Sequence, residues 1–159
     1  MSIVLATTID IAATPEQVWQ VLTDFPSYGE WSNFSRVEGT AELGTRLKIR
    51  MPGLWFRPTI TAATPDQELE WSATIGSERI FLGAHHFTLV RTDDGTTRLE
   101  NTETFSGVLT TPFERFFATQ HTDSGYAAFN RALKARVEAR ASVPLDVPLD
   151  AALDAALDA

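Results

Sequence analysis

The chain has 159 residues, 43% of them apolar, with 13 basic and 21 acidic side chains, a formal net charge of −8 and no cysteine. That length suits one domain, and the apolar share supports a packed core rather than disorder. The missing cysteines exclude a disulfide scaffold and thiolate metal sites, and the acidic balance argues against a general nucleic-acid binder or docking on anionic lipid headgroups.

In chain order, the β-branched run Ile3 to Ile11 predicts a strand. Thr14-Pro15-Glu16-Gln17 predicts a capped helix start, with Val18, Val21 and Leu22 as its apolar face. Asp24-Phe25-Pro26 stops that helix, and Ser27 to Asn33 reads as a loop or short helical turn. From Phe34 to Phe105 the pattern is short β segments: Phe34–Glu38, Thr45–Met51, Trp55–Ala63, Glu68–Ile75, Arg79–Arg91 and Thr96–Phe105. Their short, turn-rich separators predict an antiparallel meander. Thr111-Pro112-Phe113-Glu114 repeats the capping signal and predicts a long helix from Pro112 to about Arg140, with Gly125 as a point of bending or close contact. Residues 142–159, SVPLDVPLDAALDAALDA, differ in composition and read as a mobile, acidic tail that becomes helical only where packed. The tail holds four aspartates and no lysine or arginine, so it carries half of the net charge of −8 and leaves residues 1–141 as the domain.

Pairing the last strands shows which side chains share a face. A hairpin centred on Asp93-Asp94-Gly95 sets Leu89 opposite Leu99, Phe87 opposite Asn101, His85 opposite Glu103 and Gly83 opposite Phe105. A preceding hairpin centred on Ser77 sets Ala73 opposite Phe81, Trp71 opposite Gly83 and Leu69 opposite His85. Side chains alternate with period two, so these residues line one mostly apolar face, and Glu68, Glu70, His86, Thr88, Arg98 and Glu100 line a wet one. Ile80, Leu82 and Val90 fall on the outer face as apolar exceptions. Polar residues at the middle of an apolar face need partners, a ligand or water, so the cluster His85, Asn101 and Glu103 is the candidate site. Facing positions bring His85 and Glu103 within reach of each other, which suits either a ligand-orienting pair or an acid–base pair.

Adjacent strand residues point to opposite faces, so His85 and His86 cannot share a metal ion. His121 with His85 and Glu103 would make a two-histidine, one-carboxylate set, but no spacing demands it, and the expectation is no metal and no other cofactor. Nucleophile elbows, phosphate-binding loops and dinucleotide fingerprints are missing. The basic group Arg46, Lys48, Arg50 and Arg57 reads as a solvated strand face. The opening lacks the basic and long apolar segments of a secretion signal, and no apolar run approaches the roughly 20 residues of a membrane helix. A cytoplasmic protein is expected.

The opening Ile9-Asp10-Ile11-Ala12-Ala13-Thr14-Pro15-Glu16-Gln17-Val18-Trp19, with Leu22-Thr23-Asp24 and Trp31, resembles the START-like, birch-pollen-allergen-like superfamily often labelled SRPBCC. Gly83-Ala84-His85-His86-Phe87, Glu103-Thr104-Phe105-Ser106-Gly107 and Asn130-Arg131-Ala132-Leu133-Lys134 look like its polyketide cyclase and lipid-transport branch. The resemblance spans about residues 1–140, and in several of the relatives it resembles, a histidine stands where this chain has Asn101. It implies an α+β helix-grip fold: a curved antiparallel sheet of six to seven strands wrapped around a long C-terminal helix, with two short helices after the first strand. The implied function is binding of a hydrophobic or aromatic small molecule, lipid- or polyketide-like, between sheet and helix. Trp71, Phe81, Phe87, Asn101, Phe105, Phe117 and Tyr126 would line that cavity. Two alternatives stand beside it. One is a cofactor-free cyclase, dehydratase or hydrolase using His85 and Glu103; the other is a protein-interaction module, as in chaperone-activator relatives, using Ile80, Leu82 and Val90. The expected partner is an apolar small molecule, without nucleic acid or membrane insertion; a homodimer is compatible with all three readings.

Overall fold

The computed structural model describes residues 2–110 and 125–142 of the chain. Strand β1 (Ser2–Ile11) leads into helix α1 (Pro15–Leu22), a 3-10 turn (Phe25–Ser27) and the one-turn helix α2 (Tyr28–Trp31). Strands β2 (Arg36–Glu38), β3 (Lys48–Met51), β4 (Leu54–Phe56), β5 (Thr59–Thr64), β6 (Glu68–Ile75), β7 (Phe81–Arg91) and β8 (Thr97–Ser106) follow. Helix α3 (Tyr126–Ala141) comes last among the described residues. This is the α+β helix-grip arrangement: antiparallel sheets, short helices after the first strand and a C-terminal helix.

The strands form a five-stranded sheet in the order β1-β8-β7-β6-β5 and a three-stranded sheet β2-β3-β4. The run Trp55–Ala63, expected as one strand, is two, which raises the count to eight. The break falls at Pro58, which has no N–H to give a ladder. Its carbonyl accepts from Leu47 N, and an Arg46–Thr59 bridge passes the chain from the small sheet to the large one.

Helix α1 starts as its sequence requires. Thr14 Oγ1 accepts from Gln17 N at 3.5 Å, and Gln17 Oε1 accepts from Thr14 N at 3.0 Å, with Pro15 in the first turn. Tyr28, fully buried, donates from its hydroxyl to Leu22 O at 2.5 Å and so satisfies a carbonyl at the end of α1. The hydroxyl is held well above the usual tyrosine range, first by burial and then by the nearby Asp24 charge.

Helix α3 begins one residue after Gly125, which is its N-cap. The expected helical stretch 112–124 and the tail 143–159 lie outside the described residues. Phe129, Leu133 and Val137 recur every fourth residue and are buried. Each contributes about 1.5–3 kcal/mol on full burial, so the helix docks even though Arg131, Lys134, Arg136 and Arg140 share it. Together with Ile11, Val18, Leu22, Phe25 and Tyr28 they cover Leu69, Phe87, Leu89 and Leu99 of the sheet; Val37 and Ile49 join from the small sheet and Leu47 from just before it. Ion pairs Arg136–Glu30 (2.5 Å) and Arg140–Asp24 (3.2 Å) fasten the outside of α3 to the short helices. At the sheet edge, Lys134 Nζ donates to Asp10 O at 2.6 Å and Ala12 N donates to Glu138 Oε1 at 2.8 Å, so α3 also holds the backbone at the end of β1.

The β7–β8 register is the one expected from the sequence, with Leu89 opposite Leu99, Phe87 opposite Asn101, His85 opposite Glu103 and Gly83 opposite Phe105. The β6–β7 register differs by two residues: Trp71 faces His85, Leu69 faces Phe87 and Ala73 faces Gly83. The cause is the connection. Ile80 N and Phe81 N both donate to Ser77 O, a tight turn that starts β7 at Phe81 instead of Arg79. A shift of two preserves which face each side chain takes. Ile75, at the end of β6, is 62% exposed.

Candidate functional site

Two strands and one helix assemble the site. His85 on β7 and Glu103 and Asn101 on β8 project from the inner face, each buried, and Asn130 meets them from α3. His85 Nδ1 lies 2.9 Å from Glu103 Oε2, and its Nε2 lies 2.7 Å from Asn101 Oδ1. Asn101 Nδ2 donates to Asn130 Oδ1 at 2.7 Å, and Asn130 Nδ2 donates to Thr7 Oγ1 of β1 at 3.0 Å. One hydrogen-bond chain therefore runs from Glu103 through His85, Asn101 and Asn130 to Thr7. An imidazolium with both hydrogens satisfies it as drawn. Reversing both amides satisfies a neutral ring as completely, with Asn101 Nδ2 donating to His85 Nε2 and the Thr7 hydroxyl donating to Asn130.

Aromatic rings wall the imidazole. Phe87 stacks on it at 4.4 Å between centroids and 24° between planes. Trp71 lies at 5.1 Å, because the true β6–β7 register sets it directly opposite. Tyr126, from the first turn of α3, meets the ring edge-on at 5.5 Å and 82°. Burial, and then the Glu103 charge, hold the Tyr126 phenol well above its usual range. Beyond Glu103 the face stays aromatic: Phe81 and Phe105, half-buried, sit 5.8 Å apart between ring centroids. The sequence pairing sets Gly83 opposite Trp71. It lies instead across from Ala73 and Phe105, where a Cβ would stand 3.4 Å from the Phe105 ring and 3.5 Å from Glu103 Oε1.

Of the residues singled out from sequence, His85, Glu103, Asn101, Trp71, Phe87 and Tyr126 thus meet around one ring, and Phe81 and Phe105 adjoin them. Phe117 and His121 lie outside the described residues. Trp55 is 68% exposed at the tip of the small sheet, with the Arg57 guanidinium 5.3 Å over its ring. His86 points to the outer face, its Nε2 3.4 Å from Glu68 Oε2. Among the described residues no three histidine, aspartate or glutamate side chains gather as a metal would need. The outer apolar residues do not form one patch. Ile80 sits in the turn, and Leu82 and Val90 are eight residues apart on β7, about 26 Å at the usual strand rise.

Sequence reasoning passed over Thr7 and the role of Asn130. Both carried a signal. Thr7 interrupts the inward series Ile3, Leu5, Ile9, Ile11, and Asn130 sits among the buried Phe129, Leu133 and Val137 of α3. A polar residue at an inward position is the mark of a partnered buried group.

A helix gripped by an antiparallel sheet, with a polar cluster set into an aromatic inner face, defines a class of small-molecule-binding folds. The chain belongs to the polyketide cyclase/dehydrase and lipid transport family, whose sequence profile matches residues 2–138. No curated protein matches the sequence. Among solved structures, norcoclaurine synthase from Thalictrum flavum, a point mutant in complex with a transition-state analogue, superposes with a TM-score of 0.70 at 15% identity, covering 89% of this chain and 98% of that one. Protein MLL2253 from Mesorhizobium loti gives 0.69 at 20% identity, covering 89% and 100%. The Aha1 dimer from Colwellia psychrerythraea gives 0.67 at 25% identity, covering 86% and 96%. These likenesses establish the fold. Among the described residues no helix is long and apolar enough to cross a membrane.

Proposed function

We propose that this protein binds a hydrophobic or aromatic small molecule against the inner face of the large sheet, between it and the C-terminal helix segment. The observation that carries this reading is the state of His85. Its Nδ1 is engaged by Glu103 and its Nε2 by Asn101, so neither ring nitrogen is left for a substrate. A histidine that exchanges protons with substrate needs one nitrogen within reach of it. Here the ring acts as a fixed spacer that orients Glu103, and the surrounding aromatics supply apolar contact. Family membership supports the same reading.

The test is native mass spectrometry of the purified protein, followed by displacement of a hydrophobic fluorescent dye. A retained small molecule and saturable dye uptake are expected; absence of both overturns the proposal. The second reading, a cofactor-free cyclase, dehydratase or hydrolase, draws on the 2.9 Å His85–Glu103 contact, which would leave Glu103 as the base. Once a ligand is identified, Glu103→Gln separates the two. Turnover that falls by about 100-fold or more supports the enzyme; absence of turnover in the native protein, with binding intact, supports the binder.

A further inference from the structure

Glu103 uses only one of its oxygens in the chain to Thr7. Oε2 faces His85 Nδ1, while Oε1 lies over Gly83 and has no hydrogen-bond partner among the described residues. Glu103 is 9% exposed, and Oε1 is not among the buried atoms without a partner, so the oxygen faces open space where an occupant that brings a donor gains a charge-assisted hydrogen bond. Half-buried rings lie close by: Phe105 flanks Gly83, Phe81 is 5.8 Å from Phe105 between centroids, and Tyr126 meets the His85 ring that Glu103 engages. These walls suit flat apolar surface. Gly83 controls access. Any side chain there would begin 3.5 Å from Oε1 and 3.4 Å from the Phe105 ring, covering the oxygen.

We infer that the ligand is an aromatic or apolar molecule carrying one terminal hydrogen-bond donor, which docks on Glu103 Oε1, and that Gly83 is the residue that fixes this specificity by leaving that oxygen open. This rests on the binding reading above and narrows it to a chemical class. Backbone strain does not confound the test, since Gly83 lies outside the positive-φ glycines and alanine can take its conformation. Its methyl would touch, not displace, the two neighbours.

The experiment is equilibrium dialysis of the full chain against naphthalene, 2-naphthol and 1-naphthylmethylamine, with native protein, Gly83→Ala and Glu103→Gln. The native protein is expected to bind a donor-bearing probe at least about tenfold more tightly than naphthalene, the ratio of one hydrogen bond to a charged group. Gly83→Ala is expected to remove that advantage while naphthalene binding changes by less than about threefold. Preference for 2-naphthol assigns a hydroxyl donor and preference for the amine an ammonium; either supports the class. Equal binding of all three probes, or an advantage that survives Gly83→Ala, overturns the inference and leaves the binding reading standing. Binding of none of them counts against both. Glu103→Gln keeps the side-chain size but loses the anionic acceptor, so it should reduce the donor advantage without abolishing naphthalene binding. Unchanged preference there also overturns the inference.

Discussion

Asn130 is the residue on which the polar chain turns from the sheet to the helix. It accepts from Asn101 and donates to Thr7, and it is buried. Asn130→Leu would keep the volume and strand the Asn101 amide, so a loss of about 1–3 kcal/mol is expected in urea unfolding, with an unchanged slope. A loss below about 0.5 kcal/mol would mean that the chain is not maintained in solution. Sequence made one half of this cluster readable. His85, Asn101 and Glu103 stood out because strand alternation placed three polar groups on an apolar face. The other half depended on which helix face meets which strand, a tertiary relation that no local pattern encodes.

Elements were legible where turn chemistry was restrictive. The turn Asp93-Asp94-Gly95 is short, Gly95 has φ +82°, and the Asp94 carboxylate accepts from Thr96 N at 3.2 Å, so the β7–β8 register follows from the sequence. The Gly76–Ile80 connection is longer, and nothing in its composition says that Ser77 O will collect two amides; the register slipped by two there and the facing residues changed. That connection is locked from outside. Val108 N donates to Arg79 O, and Leu109 N donates to Ile80 O. Gly107, at φ +109°, passes so close that a Cβ would stand 2.4 Å from Ile80 O. Gly107→Ala combines an unfavourable backbone conformation with a collision against backbone, so a destabilisation of about 2 kcal/mol or more is expected in the same assay. A result within about 0.5 kcal/mol would show that this junction yields freely.

For the molecule as a whole, the acidic surface sets the response to pH. Hydrogen bonds from Thr14, its own backbone and Arg91 hold Glu16 down to about 2, from an ordinary 4.5. Thr92 and then Thr96 hold Asp94 to about 2, and the Arg98 hydrogen bond lowers Asp10. Lowered native values mean that the unfolded chain takes up more protons between about pH 4.5 and pH 2. Stability from these groups is therefore full above that window and lost as pH falls through it. The unfolding midpoint should drop on acidification from pH 5 to pH 2.5, and Glu16→Gln with Asp94→Asn should flatten the slope; a slope unchanged by both substitutions rejects this assignment. The same global view gives the β1–β8 pairing a consequence in time. Ser2 pairs with Ser106 and Ile11 with Thr97, so the first strand made finds its neighbour only after the last strand of the sheet exists. The backbone at the end of β1 is gripped later still, by Lys134 and Glu138. Closing so long a loop costs entropy before any contact repays it, which places folding among slow, topology-limited reactions of milliseconds to seconds. On the ribosome, β1 waits unpaired until β8 has been made, and the large sheet closes only then.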